Sequence, residues 1–313
     1  MTIDFAVTAG GLLVGIVVGM TGMGGGALMT PMLVLFFGIQ PLAAVSSDLV
    51  VSLFMKPVGG FVHLRRGTVQ LALVGWLCVG SVPAAFAGVL VLRALGSQSD
   101  RLNSIVKIAL GVALLLAVAI MLVKGVMALR VHAHKTEQER QAREAEPLKV
   151  RPVITVVVGV IGGLVVGMTS VGSGSLIIVT LMLIYPQLTS RSLVGTDLVQ
   201  AVPLVASAAL GHLLFGEVKL GLTLSLLIGA VPGAWIGARL SSVAPQMIVR
   251  RVLAVVLLAS GAKLVGLGNV QVALVILGAA LVGPVSWMWL RTRMGLPALW
   301  RTERTLPAVT TSK

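Results

Sequence analysis

The residues of this sequence that could do chemistry are few, and they lie within long apolar stretches. Two aspartates, Asp48 in SSDLV and Asp197 in GTDLV, each follow a serine or a threonine early in such a stretch. Lys56 stands in SLFMKPVGG, and His63 and His212 stand near the ends of equivalent stretches. Because an ionisable group is costly in apolar surroundings, each of these is a candidate for ligand binding or proton transfer.

The two aspartates allow two interpretations. An aspartate at a helix start caps free amides and complements the helix dipole, which would be a structural role. A buried carboxyl group can instead exchange a proton or contact a ligand. The residue types leave both interpretations open for Asp48 and Asp197.

Lys56 is the one basic residue near the middle of an apolar stretch. At 100° per residue, Ser52 and His63 project close to the same helix face, although Pro57 can bend the helix locally. Lys56 either provides a positive charge for an anion or pairs with Asp48 or a backbone carbonyl. For the two histidines, the alternatives are packing with one hydrogen bond and gating or proton exchange.

Glycine-rich sequence interrupts two apolar stretches, as TGMGGGAL at residues 21–28 and as TSVGSGSL at residues 169–176. Where a membrane helix breaks, free amides and a positive dipole end can bind an anion, and glycine lets the ligand approach closely. The alternative is close helix packing through small residues, as in the GxxxG pattern of Gly15 and Gly19. The predicted substrate-binding residues are Thr21, Gly22, Gly24, Gly25, Gly26, Lys56, Thr169, Ser170, Gly172, Ser173, Gly174 and Ser175.

The composition indicates which elements position these residues. Of 313 residues, 57% are apolar and only 11% are charged, whereas soluble domains average roughly 25% charged residues. A bilayer crossing needs about 20 apolar residues, so the chain has room for about eight to ten helical crossings. The apolar stretches lie near residues 5–37, 42–62, 69–92, 102–128, 152–184, 192–214, 218–238, 247–266 and 270–290. We expect an all-α polytopic membrane protein.

An internal repeat relates the two halves of the chain. Residues 15–28 and 163–176, offset by 148, share nine identities in fourteen positions. At an offset of 149, Asp48 aligns with Asp197 and His63 with His212. The sequence therefore predicts two repeats of about four helices, each with a broken or re-entrant first element, and one additional C-terminal helix without a repeat partner.

The basic residues favour inverted repeats. The net charge is +14, which in a soluble protein would suggest a nucleic-acid partner, but here the charges lie mostly at segment ends and we expect none. If each interrupted stretch turns back, one face collects Arg65, Arg66, loop 130–151, Arg191, Arg239, Arg250, Arg251 and tail 291–313. That face is expected to be cytoplasmic, which places the N-terminus outside and the C-terminus inside.

The predicted organisation follows from these boundaries. It comprises an N-terminal transmembrane repeat (1–129), a charged cytoplasmic linker (130–151), a C-terminal repeat (152–266), an extra helix (267–290) and a basic cytoplasmic tail (291–313). The mixed charge of the linker predicts a solvated connector that is partly helical, and its His132 and His134 lack nearby acids or thiols to complete a metal site.

No pattern of an enzyme emerges. Residues 22–27, GMGGGA, satisfy a GxGxxA pattern with Asp48 downstream, but their flanks are membrane-length apolar stretches rather than a βαβ unit. We find no nucleophile–base pair, HExxH or Walker pattern, and we expect neither catalysis nor a cofactor or metal.

Three segments together resemble the TauE/SafE sulfite exporter family, also called the TSUP family. They are GMTGMGGGALMTPMLVLFFG, SSDLVVSLFMKPVGGFVHLRRGTV and GTDLVQAVPLVASAALGHLLFGEV, and the resemblance covers residues 8–265. It implies a bacterial inner-membrane permease for small sulfur-containing or carboxylate anions, among them sulfite, sulfoacetate, thiosulfate and taurine-related compounds.

The resulting hypothesis is a secondary transporter that binds an anion at the repeat interface, between the two glycine breaks. Lys56 would supply the fixed positive charge, while Asp48, Asp197 and one of His63 and His212 would couple protons to movement. Anion efflux would be electrically favourable unassisted, because an inside-negative potential of about 100 mV is worth about 2.3 kcal/mol per charge. The alternatives are an anion channel, a carboxylate permease of the same fold and a structural or assembly protein of the membrane.

Overall fold

The computed structural model describes residues 3–21, 25–95, 100–134, 148–172, 174, 176–240 and 246–293. All regular structure in these residues is helical, which confirms the all-α prediction. The helices are α1 (Phe5–Thr21), α2 (Met29–Leu35), α3 (Pro41–Arg65), α4 (Leu71–Ala94), α5 (Asp100–His134), α6 (Pro152–Thr169), α7 (Leu176–Ile184), α8 (Ser190–Phe215), α9 (Leu220–Leu240), α10 (Gln246–Val265) and α11 (Asn269–Arg293).

Seven of these helices are long and apolar enough to cross a membrane. They are α3, α4, α5, α6, α8, α9 and α11. Fewer helices than the expected eight to ten qualify, for two physical reasons. The glycine clusters cut α1 and α2 to shorter lengths, and Arg250, Arg251 and Lys263 interrupt the apolar sequence of α10.

Each predicted break lies between two helices. In the first half, α1 ends at Thr21, residues 25–27 form a single 3₁₀ turn, and α2 begins at Met29. In the second half, α6 ends at Thr169 and α7 begins at Leu176. Neither of the two 33-residue apolar stretches is one continuous helix.

Glycines let the backbones of α1 and α9, and those of α4 and α6, pack directly against each other. A Cβ atom built at Gly15 would lie 2.5 Å from the Ala230 carbonyl oxygen, and one at Gly19 would lie 2.2 Å from that of Ala234. These contacts advance along both helices together, so α1 and α9 run parallel. For the Gly15–Gly19 pair, the packing interpretation is therefore the right one.

The equivalent helices α3 and α8 run antiparallel. Ser46 contacts His212 near one end of the pair, and a Cβ at Gly195 would lie 3.0 Å from the His63 ring near the other. Helix α9 begins just after α8 ends, beside the start of α3, and its first turns contact the start of α1. The starts of α1, α3 and α9 thus lie at the same end of the bundle.

Apolar clusters support both breaks. The largest cluster includes fully buried Leu49, Leu77, Val166, Ile177 and Leu204, from α3, α4, α6, α7 and α8. A second cluster packs α1, α2 and α3 on α9, and a third joins α5 to α10. Apolar packing on α3 and its neighbours therefore holds the helices that flank each break.

Two sequence expectations need correction. Helix α3 begins at Pro41 and α8 at Ser190, with Gln40 and Thr189 as their capping residues. Asp48 and Asp197 therefore lie inside their helices, and the capping interpretation is wrong for both. Helix α5 ends at His134, within the segment predicted as the linker.

Candidate functional site

The two glycine breaks touch each other in the interior. A Cβ atom at Gly26, in the first break, would lie only 1.9 Å from the Ser170 carbonyl oxygen in the second. Both residues are buried. Because no side chain fits at Gly26, the two halves of the chain meet here backbone against backbone.

Ser170 has the only positive φ of a non-glycine residue in the described part of the chain, at 59°. It ends α6 in the left-handed conformation, and its amide donates to the Val166 carbonyl at 2.8 Å. This conformation costs a serine about 1 kcal/mol or more and persists where the surroundings require it. Here it directs the Ser170 hydroxyl towards α3, where it donates to Asp48 Oδ2 at 2.6 Å.

Asp48 is fully buried and joins three elements. Its Oδ2 also accepts a hydrogen bond from the Thr30 hydroxyl of α2 at 3.0 Å. Its Oδ1 faces Gly25, where a built Cβ would lie 3.2 Å from Oδ1 and 3.3 Å from Ser52 Oγ. Neither Oδ1 nor Ser52 Oγ makes a hydrogen bond of normal geometry among the described residues, and the two groups are near enough to interact with each other. Buried polar atoms without such a bond indicate a place for water or a ligand.

Lys56 lies two turns after Asp48 on α3 and is only 6% exposed. It interacts electrostatically with both Asp48 and Asp197, and Asp197 also interacts with Lys124 of α5. Lys56 thus acts on a carboxyl of α3 and on one of α8, and Lys124 of α5 adds a second positive charge near Asp197. Asp197 Oδ1 and Gln200 Oε1 also lack a hydrogen-bond partner in the described part of the chain.

The other predicted binding residues have different surroundings. The Thr21 hydroxyl donates to the Val17 carbonyl at 2.8 Å, and the Thr169 hydroxyl donates to that of Val165 at 2.7 Å. Both hydroxyl protons are therefore engaged within their own helices. Gly172 has a φ of 121°, and Gly174 is half-buried in a turn. Gly22, Gly24, Ser173 and Ser175 lie outside the described residues.

The two histidines differ in burial and partners. His212 is fully buried, with Nδ1 2.7 Å from Ser46 Oγ of α3 and Nε2 2.8 Å from the Gly167 carbonyl oxygen of α6. His63 is half-buried, and its Nδ1 lies 2.9 Å from Thr68 Oγ1, in the loop just after α3. Of the two histidines, only His212 therefore makes hydrogen-bond contacts between the halves.

A cavity of about 170 Å³ lies at the end of the bundle, where α4 and α8 end and α3 and α5 begin. Arg93, His212, Phe215 and Glu217 are among its lining residues. The Arg93 guanidinium stacks on the Phe215 ring at 4.4 Å. Because none of the lining residues belongs to a glycine break, this cavity is distinct from the Gly26–Ser170 contact.

Sequence reasoning found the breaks, the two carboxyls and Lys56, but it missed Thr30 and did not count Ser52 among the binding residues. Ser52 had a detectable signal, since it lies four residues from both Asp48 and Lys56 and thus on their helix face. Thr30 had none, because its contact with Asp48 depends on how α2 folds back onto α3.

A family model described as Sulfite exporter TauE/SafE matches residues 7–264. The chain belongs to the TauE/SafE sulfite exporter family. This confirms the resemblance seen over residues 8–265, and helix α11 lies beyond the matched residues. The family and the fold together make this chain a multi-pass membrane transporter.

Curated relatives agree with this assignment. The probable membrane transporter protein YjnA of Bacillus subtilis is 34% identical over 255 residues, which cover 82% of this chain and 97% of that protein. YdhB of the same organism, also named a probable membrane transporter protein, is 25% identical over 242 residues, or 76% of this chain and 90% of that protein. No solved structure matches the chain.

Proposed function

We propose that this protein is a secondary transporter of small anions that binds its substrate where the two glycine breaks meet. The proposed substrate class is sulfur-containing oxyanions and organosulfonates of the sulfite, sulfoacetate and thiosulfate type, of which the family description names sulfite. The observation that carries the proposal is the Gly26–Ser170 contact beside two buried atoms that make no hydrogen bond of normal geometry among the described residues, Asp48 Oδ1 and Ser52 Oγ.

An oxyanion needs hydrogen-bond donors and a compensating positive charge. The hydroxyls of Ser52 and Ser170 are the side-chain donors at the contact, and the glycines of the breaks let backbone amides approach the ligand. Lys56 supplies the charge from the next turn of α3. An anion that accepts the hydrogen bond of the Ser170 hydroxyl would break the bond between Ser170 and Asp48. Substrate binding would therefore change a contact between the halves.

The carboxyl of Asp48 sets a condition on binding. Two like unit charges about 4 Å apart repel by about 4 kcal/mol at an effective dielectric constant of about 20. An anion beside Asp48 is therefore favoured when Asp48, or Asp197 on the other side of Lys56, holds a proton. Anion and proton would then move together, and each proton would cancel one unit of the charge that the anion carries across the membrane potential.

The arrangement of the halves supports a mechanism of alternating access. The antiparallel pairing of α3 with α8 relates equivalent helices in opposite directions, as inverted-repeat transporters require. Rocking of one half against the other would expose the contact of the breaks to each side in turn. In the proposed orientation the N-terminus lies outside the bacterial inner membrane and the basic C-terminus lies in the cytoplasm.

Flux into proteoliposomes tests this proposal. Sulfite, thiosulfate, sulfoacetate and a carboxylate such as acetate are offered with and without a pH gradient, and counterflow against the same anion is measured. We expect saturable counterflow and acceleration by a pH gradient for the sulfur anions. Unsaturable flux without counterflow would indicate a channel, preference for the carboxylate would change the substrate class, and no flux would overturn the proposal.

A matched pair of serine variants locates the site. Ser52→Ala removes the hydroxyl beside Asp48, and we expect the half-saturating anion concentration to rise about tenfold, as for loss of one hydrogen bond to a charged group. Ser207→Ala removes a hydroxyl that donates to the Val82 carbonyl, away from the breaks, and should leave that concentration unchanged. Equal values for the two variants would remove Ser52 from the site.

A further inference from the structure

We infer that His212 is a proton-binding site of the transport cycle and that the cavity lined by Arg93 and Glu217 is its access route. The inference rests on the proposed proton-coupled anion transport and names where one proton binds. It is carried by three observations: the position of His212 between the halves, the hydrogen atoms its contacts require, and an opening at Gly216.

His212 connects three helices that form the anion site. It belongs to α8, its Nδ1 contacts Ser46 of α3, and its Nε2 contacts the Gly167 carbonyl of α6. Ser46 lies two residues before Asp48, and Gly167 lies three residues before Ser170. The histidine therefore joins the same two helices as the Asp48–Ser170 bond, about one turn away from it.

The hydrogen atoms at this joint can be counted. The Gly167 carbonyl can only accept, so Nε2 must carry a hydrogen. Ser46 Oγ lies 2.7 Å from Nδ1 and 2.8 Å from the Leu42 carbonyl oxygen, yet the hydroxyl has a single hydrogen. With a neutral ring, the Ser46 hydroxyl donates its hydrogen to Nδ1, and no hydrogen is left for the contact with the Leu42 carbonyl oxygen.

An imidazolium ring satisfies all three contacts at once. Nδ1–H then donates to Ser46 Oγ, the Ser46 hydroxyl donates to Leu42, and Nε2–H still donates to Gly167. The step adds one proton to Nδ1 and rotates one hydroxyl, and no heavy atom moves. Bonds from the charged ring are about twice as strong as neutral ones, so protonation tightens the joint between the halves and proton loss loosens it.

Gly216 leaves Nδ1 open to the cavity. It lines the cavity, and a Cβ built on it would lie 2.8 Å from both His212 Nδ1 and Ser46 Oγ. The absence of a side chain thus gives a proton a path from the cavity to the ring nitrogen. The counterpart His63 has no such place, because it is half-buried and bonded to a loop residue, Thr68.

The charged groups around His212 are few in the described residues. Arg93 of α4 and Glu217, just after α8, line the same cavity. On α3 the nearest ionisable residue along the chain is Asp48, and α6 has no ionisable side chain between residues 152 and 169. In this inference the Glu217 carboxyl delivers the proton. The positive charge of Arg93, which stacks on Phe215, disfavours other cations in the cavity.

Proteoliposomes loaded with a pH-sensitive dye test the inference. The anion gradient drives transport, proton movement is read from the dye, and anion counterflow is measured at equal pH on both sides. For His212→Gln we expect anion-driven proton movement to fall about tenfold or more, the size of a typical coupling. Anion counterflow should fall by a smaller factor than proton movement, because exchange does not require the proton to leave. His63→Gln is the matched control and should keep both.

Three outcomes are distinguishable. If His212→Gln keeps the wild-type proton-to-anion ratio and pH profile, the inference is overturned and the proposed transport stands. If wild type moves no anion, the proposed function itself fails. If His212→Gln does not fold, Ser46→Ala and Gly216→Ala decide: both keep the histidine, and we expect a shifted pH profile of net flux, whereas two unchanged profiles would overturn the inference.

Discussion

The two halves of the chain place histidines at equivalent positions and give them different partners. His212 lies buried between α3 and α6, whereas His63 is half-buried and bonds to a neighbouring loop. The difference follows from one pair of residues. Ser46 offers a hydroxyl to His212, while its repeat counterpart Gly195 approaches His63 without one, and Thr68 takes its place.

The aspartates show the same divergence. Both interact electrostatically with Lys56, but Asp48 accepts hydrogen bonds from Thr30 and from Ser170 of the other half, whereas Asp197 interacts in addition with Lys124. Duplication therefore supplied a repeated scaffold, and later substitutions gave the halves different chemistry. In the first half the acid reaches the opposite break, and in the second the acid balances lysine charge.

The largest expected effect comes from Lys56, whose counterpart in the second half is Val205. Lys56→Met removes the positive charge between two buried carboxyls, and we expect a loss of anion flux of about 100-fold. Removing one partner of a buried charge group costs about 3–5 kcal/mol, so thermal unfolding in detergent should also move down. Val205→Ala, the matched control, should keep flux within about threefold of wild type. Wild-type flux in Lys56→Met would show that the halves do not differ here.

Gly26→Ala tests the contact between the breaks. The added methyl would lie 1.9 Å from the Ser170 carbonyl oxygen, so the two breaks must separate. We expect anion flux to fall about 30-fold, because a misplacement of about 1 Å at a binding site is costly. Gly59→Ala, whose methyl would lie 3.4 Å from Leu198, is the control and should transport normally. Normal flux in Gly26→Ala would argue that the contact is not the substrate site.

Ser170→Gly makes the second break resemble the first, which has Gly22 at the equivalent position. Glycine adopts the left-handed conformation freely, but the hydrogen bond to Asp48 is lost. We expect flux to fall about tenfold with little change in unfolding temperature, since relief of about 1 kcal/mol of strain offsets part of the lost bond. Ser170→Ala keeps the strain and should unfold at a lower temperature than Ser170→Gly. The reverse order would contradict the role of the backbone conformation.

The smallest effect on transport is expected at the helix pairs that the halves share. Gly80→Ala places a methyl 2.2 Å from the Val156 carbonyl oxygen, and overpacking should cost about 1–3 kcal/mol of stability. Gly75→Ala, on the same helix with open space around it, should be neutral or slightly stabilising. Thermal unfolding of both variants in detergent measures the difference, and equal unfolding temperatures would refute tight packing of α4 on α6.

Local patterns predicted much of this molecule. Hydropathy located the apolar helices, and the clusters at 21–28 and 169–176 located both interruptions, because a run of glycines weakens a helix wherever it folds. The same patterns misjudged Asp48 and Asp197 as possible caps, since an apolar stretch does not reveal that α3 starts seven residues before Asp48. They also gave no sign of the cavity at Arg93 and Glu217.

The sequence by itself determined the membrane class, the repeat and the small set of ionisable residues, because composition and the likeness of two segments do not depend on how the chain folds. Only the tertiary structure decided which groups meet. Ser170 reaches Asp48 across 122 residues, and Ser46 reaches His212 across 166. These two contacts depend on the antiparallel packing of α3 against α8 and on the glycine contacts between backbones. Both features arise from the whole bundle rather than from any one segment.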